Sequence, residues 1–285
     1  MSDIRSERLG AALDRAALGG DTAELFDLLE RGSGLPGPRP NFEMARAVGH
    51  ALARHEARAD RIVAELCRSE QEYLRVVAAM AFAARSLPGP DPRRTRPRVA
   101  EALADLQQLA EDPRHLVRSG IVEALRLRLT TLGEPAVVDL AAWTDGYLHA
   151  HVALEALADR KWLTTLPSSD SLLARLDEAF VLADTSPRAA ERSQGMRTLR
   201  GGMPAQIVIF AARFPATLVW LEKKTASARP ETREVVTGAI RALRRSQLSD
   251  VEAGRLAAML EASGKPRRDA DRVVQGTRKR GRGRT

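Results

Sequence analysis

The sequence offers little besides a hydrophobic core to hold the chain together. Cys67 is the only cysteine among 285 residues, so no intramolecular disulfide can form, and a reducing compartment is expected. Aromatic residues make up only 4%, which disfavours a sandwich built on aromatic and β-branched side chains and leaves close helix packing through Ala and Leu as the alternative. No apolar run reaches the roughly 18 residues that a membrane helix needs. The first twenty residues mix charges of both signs and lack the apolar centre of a signal peptide. The expected location is therefore cytoplasmic, with no membrane partner. Walker loops, G-x-S-x-G elbows, His-Glu-x-x-His sequences and spaced cysteine pairs are all missing. No catalytic residue, metal ligand or cofactor is expected on that basis, and a non-catalytic role leads.

An excess of one sign of charge is missing until the end of the chain. The formal net charge is +8. From Lys265 onward, Lys265, Arg267, Arg268, Arg272, Arg278, Lys279, Arg280, Arg282 and Arg284 stand against Asp269 and Asp271, so almost all the excess lies in the last 21 residues. Their low apolar content predicts a disordered basic tail over 265–285. Alternating Arg and Gly near the end resembles arms that contact nucleic-acid phosphates without reading sequence. A solubilising terminus is the plain alternative.

What the sequence does have is helical periodicity with terminal punctuation. "GDTAELFDLLERG" offers Asp21 or Thr22 as an N-cap and Gly32 as a stop. Comparable blocks recur to the end of "DVEAGRLAAMLEAS", separated by short turns that favour antiparallel neighbours. "AQIVIFAARF", from Ala205 to Phe214, reads locally as a strand, but a lone strand would have no partner, so a buried helix is predicted.

One block carries more than periodicity. In "EDPRHLVRSGIVEAL", Asp112 is placed to accept from first-turn N–H groups and Pro113 suits the first helical position. Val117, Ile121, Ala124 and Leu125 then form one apolar face with Arg118 beside it. Asp112, Pro113, Val117, Arg118, Ala124 and Leu125 resemble the second helix of a HEAT repeat, the helical-hairpin unit of α-solenoids. The resemblance implies that Asp112 and Arg118 tie neighbouring repeats together. Aligning on Leu125 brings Pro187, Arg192 and Leu199 onto Pro113, Arg118 and Leu125, and places Arg75 in the same frame, with Ala150 and Val236 standing where the arginine would be in two other blocks. These positions lie 43, 32, 42 and 44 residues apart, against roughly 40 to 47 for such units.

The implied fold is all-α, an α-solenoid of about five or six stacked antiparallel hairpins. N-terminal capping helices occupy 1–40 and the repeat array 41–264, interrupted by a Pro-rich loop near 87–97 that could divide two subdomains. The implied function is a scaffold that offers its concave surface to a protein partner. Arg114, Arg126, Arg188, Arg197 and Arg241, with Arg118, Arg128, Arg192, Arg200, Arg244 and Arg245, are candidates to line that surface. Solvation or pairing with Asp and Glu is the alternative. The tail Lys and Arg are candidates for nonspecific nucleic-acid contact.

Other constellations carry less. HEAT-like proteins include alkylpurine DNA glycosylases that use aromatic side chains and one Asp, which makes Trp143, Asp145, Trp162 and Trp220 candidates for that chemistry, although packing accounts for the tryptophans equally. His149 and His151 would point about 200° apart on a helix and could not share a metal ion. "GSGLPG", from Gly32 to Gly37, spells a dinucleotide fingerprint but follows a helix and is flanked by prolines that remove donors, so it reads as a loop.

Overall fold

The structure is a computed structural model that describes residues 2–88, 92–186, 190, 193–227, 229–246 and 248–265. Regular secondary structure among these is helical throughout. The helices are α1 (Ser2–Ala17), α2 (Ala23–Gly32), α3 (Phe42–Arg54), α4 (Asp60–Arg68), α5 (Glu72–Arg85), α6 (Pro92–Leu109), α7 (His115–Leu132), α8 (Glu134–Asp139) and α9 (Tyr147–Leu157). They continue with α10 (Arg160–Leu163), α11 (Asp170–Thr185), α12 (Gln194–Arg213), α13 (Ala216–Thr225), α14 (Pro230–Ser246) and α15 (Asp250–Ala262). The chain forms two compact units, one comprising Met1–Trp143 with Val152–Pro167 and the other Thr144–His151 with Ser168–Thr285. The division lies inside the segment 41–264, not at the Pro-rich stretch near 87–97. From Pro92 that stretch is already helical, as the start of α6. A proline at the first position of a helix gives up only a donor that has no partner there.

In the first unit α5 is the centre. Its Val76 to Ala83 segment is buried without a break, as expected of a helix that is apolar around its whole circumference. Helices α3 and α7 pack on it from two sides and also touch one another, while α4, α6 and α2 complete the enclosure. The spacing is close because glycines permit it. A Cβ on Gly49 of α3 would lie 2.6 Å from the Met80 backbone, and one on Gly120 of α7 would lie 2.8 Å from the Val76 side chain. The helix ends are fastened by polar groups. Asn41 caps α3 by accepting from the Met44 amide at 3.0 Å, and buried Tyr73 donates to the Asn41 carbonyl at 2.6 Å.

In the second unit α12 and α14 pack through Pro204 and Gly238, where a Cβ on the glycine would lie 2.8 Å from the proline ring. The stretch expected as a buried helix belongs to α12, with Ile207, Val208, Phe210 and Ala211 inside. Two blocks that read separately in sequence are thus one helix of 20 residues running through Gly201, Gly202 and Pro204. Helix α13 begins at Ala216 after Pro215 with no side-chain cap. Its seam with α11 is aromatic: the Phe180 and Trp220 rings meet edge to face at 5.2 Å, while Trp220 Nε1 donates to Asp177 at 2.9 Å.

Candidate functional site

A recurring polar feature is a turn that launches a helix and is closed by an arginine six residues on. In the first unit Ser69 Oγ accepts from the Gln71 amide at 3.0 Å and Arg75 Nε donates to the Ser69 carbonyl at 2.8 Å. Asp112 repeats this, accepting from the Arg114 amide at 2.9 Å while Arg118 donates to the Asp112 carbonyl at 2.7 Å. In the second unit Ser227 accepts from the Arg229 amide at 3.2 Å, and Arg233 donates to the Ser227 carbonyl at 3.3 Å. A short side chain that bonds the backbone two residues on is a turn-forming device. The arginine meets the carbonyl that this turn leaves free.

The same arginines also join segments distant in sequence. Arg75 reaches Asp112 Oδ2 at 3.0 Å, and Arg114 reaches the Glu70 carbonyl at 2.9 Å. Arg233 donates to the Leu260 carbonyl at 2.6 Å, and Arg229 to the Asp184 carbonyl at 3.1 Å. The Asp112 side chain is only 3% exposed. Burial by itself would raise its carboxyl, but the hydrogen bonds from the Arg114 side chain and amide, with the charges of Arg114 and Arg75, outweigh burial and hold it below the usual carboxylate range.

These turns refine the sequence reading at two points. Helix α7 starts at His115, so Pro113 lies in the turn before the helix and Arg114, not Asp112, is the residue that flanks it. In the last recurrence it is Arg233, three residues before Val236, that bonds the turn carbonyl; Val236 is buried core. The missed signal is Ser or Asp six residues ahead of Arg, which also fits Ser186 and Arg192. Pro187, Arg188 and Arg192 lie outside the described residues.

The arginines that are candidates for a binding surface divide sharply. Arg118 and Arg128 are buried. Arg128 donates to the Ser86 carbonyl and to Asp139. Arg126 bonds Glu123 at 2.7 Å and faces Asp159 at 3.6 Å. Arg46 of α3 faces Glu123 of α7 at 3.7 Å, so this ion-pair network extends between the two helices flanking α5. Arg114 is engaged with Asp112 and Glu70 as described. By contrast Arg197 on α12 and Arg241, Arg244 and Arg245 on α14 are exposed. None of those four makes an ion pair among the described residues. Arg200 donates to the Ala183 carbonyl at 3.2 Å, near Phe180, Asp184 and Thr232. Lys265 is exposed. The remaining tail candidates, Arg267, Arg268, Arg278, Lys279, Arg280, Arg282 and Arg284, lie outside the described residues.

The other constellations do not assemble. Trp143, Trp162 and Trp220 are at most 8% exposed, so packing is their role in this structure. His149 Nδ1 sits 2.8 Å from Asp145 Oδ1, whereas His151 lies against Gly202 of α12, where a Cβ would come within 2.8 Å of the ring. The two histidines face different neighbours. Among the described residues no group of three His, Cys, Asp or Glu side chains is placed to hold a metal ion, and no helix is long and apolar enough to cross a membrane. The "GSGLPG" loop closes on itself: Ser33 Oγ accepts from the Leu35 amide at 3.1 Å, and the Asn41 amide donates to the Ser33 carbonyl at 2.7 Å. Burial, followed by the nearby Asp105 charge, pushes the Cys67 thiol up to about 11, far from the range of a reactive cysteine.

Comparison of the chain with family models, with curated proteins and with solved structures returned no match. Function is therefore inferred from the chemistry of these two all-helical units alone.

Proposed function

We propose that the chain is a non-catalytic scaffold of HEAT-like helical repeats, a cytoplasmic α-solenoid protein that presents an extended helical surface to a protein partner. The observation that carries the reading is the recurring turn, with Ser69, Asp112 and Ser227 each bonded by an arginine six residues on. In each unit those arginines, or the residue two after the turn, also fasten a segment 27 to 45 positions away. Such ties suit an architecture in which each module stacks on the next. Arg197 remains as a solvent-facing candidate for the partner surface, whereas Arg114 and Arg126 are engaged in internal bonds.

The test is composition of the native complex. The full chain, isolated from its host after nuclease treatment, is expected to co-migrate with one other protein in a fixed molar ratio by size exclusion and quantitative mass spectrometry. A chain that elutes alone at its own mass under those conditions overturns the proposal.

A second reading, nonspecific nucleic-acid contact through the basic tail, is favoured by how charge divides between the units. The first holds 22 Lys and Arg against 23 Asp and Glu, the second 23 against 14. The glycosylase reading gains nothing from the buried tryptophans.

A further inference from the structure

We propose that the last turns of α14 form a phosphate-contact surface for nucleic acid, built on the folded body of the second unit from Arg241, Arg244 and Arg245. The helix fixes where these side chains point. Val236, Ala239, Ile240 and Leu243 are buried on one side, so residues 241, 244 and 245 are left together on the other, within an arc of about 100° at the helical repeat of 3.6 residues. All three are exposed. They span about 6 Å of helix axis at 1.5 Å per residue, a length over which each strand of a DNA duplex places about two phosphates.

Three observations favour a polyanion over an empty surface. The three arginines carry no ion pair among the described residues. On the exposed side of α14 the nearest carboxylate in sequence is Glu234, seven residues and about 10 Å of axis before Arg241. At the start of α15, Asp250 is exposed and Glu252 is bonded to Arg255 at 2.9 Å. Arg rather than Lys supplies all three groups, giving planar donors matched to phosphate oxygens.

Nucleic acid is favoured over an acidic protein by what this face lacks. The exposed positions of α14 are Glu234, Arg241, Arg244, Arg245 and Ser246, none of them aromatic or large and apolar; the next exposed apolar side chains in sequence, Leu248 and Val251, follow the helix, so α14 itself offers no dry centre for a protein interface. Contacts made to phosphates alone carry no sequence information, so the binding is sequence-independent. This inference stands apart from the scaffold reading, whose test is made after nuclease treatment.

The experiment measures binding of the full chain to a random-sequence DNA duplex by fluorescence anisotropy across a salt series. Removing one cationic group from a phosphate lowers the slope of log K against log salt by about 0.9. Arg241→Ala, Arg244→Ala and Arg245→Ala combined are expected to reduce the slope by between about 2 and 3, and the corresponding triple Lys variant to keep it, with helical content by circular dichroism unchanged in both. An unchanged slope in the Ala variant overturns the proposal, since the tail would then carry all binding. So does failure of the full chain to bind the duplex, or displacement of the duplex by poly-glutamate at equal charge concentration.

Discussion

Arg75 donates from Nη1 to Asp112 Oδ2 at 3.0 Å, so a side chain on α5 is fastened to the turn that launches α7. The same carboxylate takes the Arg114 side chain through Nε at 2.9 Å and Nη2 at 2.7 Å, and the Arg114 amide at 2.9 Å. One buried acid thus organises a turn, a helix start and a contact between helices.

Replacing Asp112 by Asn is expected to destabilise the chain by about 3 kcal/mol, the scale for breaking a buried charged pair and leaving its partner uncompensated. Urea unfolding followed by circular dichroism measures it. The sign of the pH dependence follows from the depressed folded-state carboxyl. Its stabilisation is fully present above the ordinary Asp value near about 3.9 and is lost as pH falls through the lower folded value. Asp112→Asn should therefore flatten the loss of stability on acidification below about pH 4. A variant with the wild-type acid profile and unchanged midpoint would remove the organising role from Asp112.

Two glycines should respond with opposite signs. A methyl at Gly49 meets the Met80 and Ala81 backbone at 2.6 and 2.8 Å, so Gly49→Ala forces α3 and α5 apart and is expected to cost between about 1 and 3 kcal/mol. Gly254, inside α15, has nothing within 4 Å of its added Cβ. Gly254→Ala should stabilise by between about 0.5 and 1 kcal/mol, by restricting the unfolded chain and improving helix propensity. Paired thermal melts decide both, and equal shifts of the same sign would refute the packing assigned to α3 and α5.

Much of this architecture is legible in the sequence, and the parts that are not have identifiable physical causes. The all-helical class follows from periodicity, and α7 is visible in the apolar spacing of Val117, Ile121 and Leu125, all buried. Helix α13 is hidden because Pro215 precedes it in place of a polar cap and its apolar residues, Leu218, Val219, Trp220 and Leu221, are clustered rather than spaced. Pro204 and two glycines make α12 read as two pieces, yet the proline ring packs on Gly238 within a continuous helix. Surface position cannot be read from an arginine's place in a repeat. Arg128 and Arg241 are equivalent candidates in sequence, but Arg128 is 2% exposed and ion-paired, whereas Arg241 faces solvent. The difference is made by Ser86 and Asp139, partners remote from Arg128 in sequence or on another helix.

Cys67 should be a slow thiol. Burial and the charge of Asp105 push its pKa up to about 11, well above the roughly 8.5 of a free cysteine, and only the thiolate attacks a disulfide reagent. At pH 8 labelling by an aromatic disulfide is expected to be at least about tenfold slower for the native chain than for the chain in urea. Comparable rates would show that the α4 face carrying Cys67 opens readily.

The three tryptophans offer a test of core packing that also bears on the glycosylase alternative. Trp143 and Trp162 are 1% and 2% exposed. Trp220 is held by Asp177 through its indole N–H, with the Lys224 ammonium 5.2 Å from its ring. Native emission should therefore lie to the blue of free tryptophan and resist acrylamide quenching, with a red shift only on unfolding. Trp220→Phe removes the donor to Asp177 but keeps most of the contact with Phe180. It is expected to cost between about 1 and 2 kcal/mol, with Lys224 still neutralising the acid at 2.5 Å. Adding Lys224→Met should then cost more than Lys224→Met does alone, because Asp177 loses both of these partners. Strict additivity would mean that the two donors act independently, and ready quenching in the native state would place an indole in solvent, where a base could reach it.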